Sequence, residues 1–235
     1  MKGLYDTTKK LAGKFRNPER PVRDKTGRQI VGEEQQRKRW IQHFEELLNR
    51  PPPQNRPEIL PAAQDLDIEG GTLTRDETRM AITQLKSGKT AGPDSIPCEA
   101  LKTDIETTVN MSYPLFKKMW EVEEVPLDWK EGYLIKLPKK GNLSNCTNYR
   151  GITLLDVSGK VFNRALLNRM KDEVGTKFRD QQAGFRKDRS CVDQIATLWI
   201  IIEQSCEWKS PLFINFVDFE KAFDSVDRDT LWKLL

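Results

Sequence analysis

The stretch Leu212 to Val226, LFINFVDFEKAFDSV, constrains the fold of this 235-residue chain more than any other. Leu212, Phe213, Ile214, Phe216 and Val217 are apolar, bulky or β-branched, the pattern of a strand covered on both faces. The spacing predicts a buried strand that ends at Asp218, a sharp turn, and then a helix. In that helix Phe223, Val226, Thr230 and Leu231 recur at roughly helical period. A carboxylate at the end of a buried strand must be paired or metal-bound, because desolvating it alone is too costly. Two readings of Asp218 follow. It caps the helix, or it holds a divalent cation while the N–H groups of the turn receive a phosphate.

Upstream, residues 1 to 30 are polar and basic, and the turn signals Asn17-Pro18 and Thr26-Gly27 predict loose order there. Trp40, Ile41, Phe44, Leu47 and Leu48 share one stripe and predict a helix from Glu33 to Asn49. Pro51-Pro52-Pro53 stops it, and Pro57 and Pro61 extend a stiff linker that predicts a boundary near residue 61. Thr74 and Glu77 form a capping box for a helix running to about Ser87. The loop KTAGPDSIP precedes a second helix, about Asp104 to Glu121, which Pro114 should kink or divide. Tyr133–Leu137 and Tyr149–Leu154 read as two strands of a hairpin with a long loop between them. Asp156 is placed to cap the next helix, and QQAGFRKDRS is a basic loop that opens a buried helix from Cys191 to about Glu207.

Charge is uneven along this order. Lys130 to Arg189 holds 14 Lys and Arg against 6 Asp and Glu, whereas Ser190 to Leu235 holds 4 against 8. A basic middle before an acidic end suits phosphate binding followed by metal binding. The four cysteines form no C-x-x-C pair, and His43 is the only histidine, which argues against a zinc site. Scattered cysteines suit reduced thiols and an intracellular location, with nucleus and cytoplasm unresolved. No stretch is apolar for long enough to predict a membrane span.

The hairpin carries the other chemistry. LPKKGN puts Lys139 and Lys140 at its loop, and NYRGITLL puts Arg150 on its returning strand. Cations there can close over a triphosphate, Lys as a point charge and Arg as a two-pronged donor.

DFEKAFDSVDR resembles the first palm motif of reverse transcriptases of the non-LTR retrotransposon kind. GPDSIP, LPKKGN, NYRGITLL and QAGFRKDRS resemble other segments of that family, in its order, and RWIQHFEELLN resembles its linker helix. The resemblance covers about residues 24 to 235. It implies an α+β fold, helix-rich with a fingers β-hairpin: a partial right-hand polymerase with fingers and an incomplete palm. It divides the chain into an N-terminal segment and linker over residues 1–61, fingers over 62–209 and the start of a palm over 210–235.

The resemblance also implies roles. Asp218 would be the catalytic carboxylate and a ligand of two Mg2+ ions, with the backbone carbonyl of Phe219 facing a metal. Lys139 and Arg150 would contact the triphosphate, and Phe223 would be the gate that excludes a ribose 2′-hydroxyl. Gly92, Pro93 and Asp94 would lie near the RNA template, and Arg186 and Arg189 near a nucleic-acid backbone. The partners implied are an RNA template, a DNA primer and deoxynucleoside triphosphates, with no membrane.

The family's aromatic-Ala-Asp-Asp box, which brings further metal-binding carboxylates, occurs nowhere in the sequence. The expectation is therefore an enzyme by family, RNA-directed DNA polymerase, whose activity this chain alone lacks. The alternatives are a noncatalytic nucleic-acid-binding remnant and an inert decayed copy.

Overall fold

The computed structural model describes residues 21–55, 58–60 and 66–234, so the expectations for residues 1–20 and for Pro57 and Pro61 lie outside the described residues. The chain divides into two units. The first takes the described residues up to Asn55 with Leu134–Thr153 and Phe223–Asp227, and the second takes the remainder.

In the first unit, helix α1 (Glu33–Leu48) buries Trp40, Phe44 and Leu47. These pack with Val22, Cys146 and Tyr149 into a small core. Residues 21–30 are ordered, contrary to the expectation from composition. Val22 is 1 % exposed, the Arg23 N–H donates to the Ser144 carbonyl at 2.8 Å, and Arg23 and Gln29 form an antiparallel bridge. One buried valine and a docked turn offset the polarity of the segment around it.

The hairpin forms as its pattern predicts, from β1 (Tyr133–Pro138) and β2 (Tyr149–Leu154). On β2, Tyr149 and Gly151 are partly covered while Arg150 and Ile152 are exposed, the alternation of a strand with one face against a helix. The Trp40 ring meets Tyr149 edge-on with centroids 4.7 Å apart, and Lys136 lies 4.8 Å over Trp40. A Cβ on Gly151 would sit 2.9 Å from a Phe44 ring carbon, so glycine there lets α1 approach the strand.

The second unit is a helical core. Helix α2 (Arg75–Gln84) opens with the predicted capping box: the Glu77 N–H donates to the Thr74 hydroxyl and the Thr74 N–H to the Glu77 carboxylate. A short helix, α3 (Cys98–Thr103), follows, and α4 (Ile105–Val122) begins at the cap Asp104. Pro114 does not divide α4. Helix α5 (Val157–Lys177) completes the layer, burying Val157, Val161, Phe162 and Ala165 against Ile82, Val109 and Phe116.

Arg169 of α5 is the polar hub of this unit. Its side chain is 6 % exposed, and its guanidinium donates to both Glu77 oxygens and to the carbonyls of Glu69, Gly71 and Thr72. All five N–H donors are used, which is what a buried guanidinium requires. The arginine holds the Glu77 carboxyl well below the usual range, at about 2.

Two expectations of burial fail. Helix α6 (Cys191–Glu207) forms over the predicted range, with Ser190 as its cap, yet it buries no residue, and Ile195, Trp199 and Ile200 are exposed. Pro211–Phe219 is neither strand nor helix; Phe213 is 90 % and Phe216 83 % exposed. Among the described residues no strand lies beside this segment to complete a ladder, and the hairpin is the one sheet. A strand-like sequence without a partner strand stays irregular and solvated. Beyond it come a single tight turn, Ala222–Ser225, and the short helix α7 (Arg228–Leu234), in place of one continuous helix.

Candidate nucleotide and nucleic-acid site

The hairpin loop is built to hold its shape. Asn142 receives the Ser144 N–H and hydroxyl, Asn148 donates its side-chain amide to the Asn142 carbonyl, and Gly141 takes φ 112°. The Lys139 N–H donates to the Asn148 carbonyl at 2.8 Å and closes the mouth of the loop. Lys139, Lys140 and Arg150 are exposed, and among the described residues none is ion-paired. Because α1 covers the opposite face of β2, Arg150 stands on the free face of a braced strand. Phe223 belongs to this unit and is 79 % exposed.

The other predicted site residues fall in the second unit. Asp218 and Phe219 lie on the exposed irregular segment. Lys221, just beyond, turns the chain at φ 53°. Asp218 caps no helix there, so the capping reading is set aside.

Gly92, Pro93 and Asp94 sit in a loop held against the start of α5. A Cβ on Gly92 would fall 2.1 Å from the Leu155 carbonyl oxygen, so only glycine permits this approach. Asp156 does not cap its own helix; its carboxylate receives the Asp94 N–H at 3.0 Å. Asp94 in turn receives the Val157 N–H at 2.6 Å and so satisfies one of the orphan donors of α5 from sixty residues away. The sequence held a signal for this, an Asp after Gly-Pro, but none for its distant partner.

Arg186 and Arg189 are engaged with protein. The Arg186 guanidinium donates to the carbonyls of Gly175, Arg179 and Gln182 and lies 5.8 Å from the Phe178 ring centre. Arg189 meets Asp180 at 3.5 Å.

Residues 137–235 match the family described as reverse transcriptase (RNA-dependent DNA polymerase). A 115 kDa protein in the type-1 retrotransposable element R1DM of Drosophila melanogaster is 30 % identical over 155 residues, 64 % of this chain and 15 % of that protein. A Drosophila melanogaster protein named as an RNA-directed DNA polymerase from transposon BS is 29 % identical over 66 % of the chain and 18 % of its own length. The RNA-directed DNA polymerase from the mobile element jockey of the same fly is 24 % identical over 72 % of the chain and 19 % of its own length. The chain therefore spans less than a fifth of these relatives. Residues 137–235 thus carry a reverse transcriptase domain match, and the chain is similar to proteins named as RNA-directed DNA polymerases of non-LTR retrotransposons.

Reverse transcriptases generally use divalent metals. Magnesium demands near-octahedral oxygen ligation. Among the described residues no three His, Cys, Asp or Glu side chains gather into a group that could hold an ion. Asp218 offers one carboxylate on an exposed segment. The described residues do not by themselves fit a pair of magnesium ions.

Proposed function

We propose that this chain supplies the fingers flap and the first palm carboxylate of an RNA-directed DNA polymerase. One observation carries the reading: Lys139 and Arg150 stand exposed and without ion pairs on a hairpin braced from behind by α1. Unpaired cations on a rigid element suit a ligand rich in negative charge. In the proposed reaction a primer 3′-oxygen attacks the α-phosphate of a deoxynucleoside triphosphate, a new O–P bond forms and pyrophosphate leaves. Lys139 and Arg150 draw in the triphosphate, Arg150 offering paired N–H groups to its oxygens. Phe223, an exposed ring, is assigned in this reading to exclude a ribose 2′-hydroxyl.

Asp218 is one carboxylate, whereas a two-ion mechanism needs several. In this reading synthesis requires further carboxylates beside Asp218, and the described residues do not gather them. The uncovered apolar residues of α6 and of Leu212–Phe219 suit the same reading, since a completed palm would cover them.

Titration of the chain with a deoxynucleoside triphosphate, followed by tryptophan fluorescence, tests the proposal. The double variant K139A/R150A should bind at least about tenfold more weakly. Equal binding by variant and wild type would remove the flap from the mechanism.

A further inference from the structure

The loop of the hairpin is anchored from far upstream. Ser144 lies between the two strands, and its carbonyl accepts the Arg23 N–H at 2.8 Å. Arg23 reaches it because its own turn is closed on either side. The Ile30 N–H donates to the Val22 carbonyl at 2.8 Å, and the Asp24 N–H donates to the Arg28 carbonyl at 2.9 Å. Between those two bonds Arg23 faces Gln29 without bonding to it, so its N–H points out of the turn and toward the loop. The turn is tied to α1 as well: the Arg39 guanidinium donates to the Arg23 carbonyl at 3.4 Å, and Lys25 meets Glu46 at 2.6 Å. Val22 seats it in the same small core as Trp40.

Helix α1 grips the returning strand on the two residues that flank Arg150. Trp40 meets Tyr149 edge-on, and Phe44 takes the space that a side chain at Gly151 would need. Alternate residues of a strand face opposite sides, so fixing 149 and 151 fixes where Arg150 points. The Tyr149 hydroxyl donates to the Leu143 carbonyl at 3.1 Å, next to the Ser144 anchor. Lys139 is set by the same frame, through its N–H on the Asn148 carbonyl. The two strands cannot supply this rigidity themselves, because an isolated hairpin is marginal in water.

We propose that Arg23 and Trp40 are positioning residues of the triphosphate site, so that nucleotide affinity is governed by residues 21–48 as well as by the hairpin. The inference rests on the roles proposed for Lys139 and Arg150 and adds the control of that site: a displacement of the Val22–Ile30 turn or of α1 displaces the flap. Both residues act through protein contacts and touch no ligand. Both lie outside residues 137–235, the stretch that carries the reverse transcriptase match, so that stretch holds the cations without their frame.

Affinity of the full chain for a deoxynucleoside triphosphate should be measured by isothermal titration calorimetry, with circular dichroism to show that each variant is folded. R23P deletes the N–H that reaches Ser144 and should bind about five- to tenfold more weakly. R23A keeps that N–H and should recover most of the affinity. W40A should weaken binding by about tenfold, and W40F, which keeps a ring against Tyr149, should recover most of it. Y149F deletes one hydroxyl, keeps the ring and should weaken binding about threefold, which keeps the test valid should R23P or W40A misfold. A merely structural role would lower the urea midpoint and leave the affinity of the folded chain unmoved. Wild-type affinity in the folded variants, or an R23A as weak as R23P, would overturn the proposal. K139A/R150A is run beside them. Loss of binding there, with wild-type binding by folded R23P and W40A, sinks this inference alone; wild-type binding by K139A/R150A sinks the polymerase reading beneath it.

Discussion

Asp94 is held by Asp156 and its neighbour across some sixty residues: the Asp94 N–H donates to the Asp156 carboxylate at 3.0 Å, and the Val157 N–H donates to the Asp94 carboxylate at 2.6 Å. The GPDSIP segment thus acts as a remote cap for α5. D94A leaves the Val157 N–H unsatisfied and should destabilise the chain by about 1–2 kcal/mol in urea unfolding.

Gly92 permits that clasp. G92A places a Cβ against the backbone carbonyl of Leu155, which no side-chain rotation relieves. A loss of about 3 kcal/mol is expected, larger than for D94A, with urea midpoints as the readout.

The Glu77–Arg169 pair predicts a pH dependence. Its carboxyl falls from 4.5 to about 2 in the folded chain, through the Arg169 hydrogen bonds above all. A depressed folded value gives stability that is complete above about pH 4.5 and lost as pH falls toward 2. The contribution is on the order of 2–3 kcal/mol. Wild type should lose stability more steeply than E77Q across that window; parallel curves would show the pair to be inert.

Helix α6 and the segment Leu212–Phe219 leave Trp199, Phe213 and Phe216 in water. Exposed apolar surface of this extent favours association. Sedimentation velocity should show oligomers that grow with concentration, and F213S/F216S should shift the balance toward monomer. A monodisperse wild-type monomer would count against the covered-palm reading.

Local chemistry made much of this fold legible. The helix α1, the Thr74–Glu77 box and the hairpin strands each depend on residues within a few positions of one another and formed as read, except that Ile41 of the α1 stripe is exposed. What depends on distant partners was not legible. The run from Leu212 to Val217 has the composition of a buried strand, but burial needs neighbours, and the described residues supply none. Asp156 precedes a helix as a cap should, yet its carboxylate serves Asp94 and leaves the capping to it. Helix α3 went unread because its six residues carry too little periodicity to mark it. Among the site residues, Lys139 and Arg150 stand where their strings placed them, on the hairpin, while Arg186 spends its donors on nearby carbonyls. The bond from Arg23 to Ser144 joins two stretches more than a hundred residues apart and had no motif of its own.

The direct test is RNA-templated extension of a DNA primer by a polypeptide that carries these 235 residues together with the further carboxylates that a two-ion mechanism requires. Side by side with it, D218N should reduce synthesis at least about a thousandfold while leaving RNA binding intact. Synthesis by D218N at the wild-type rate would contradict the assignment of Asp218 and, with it, the polymerase account.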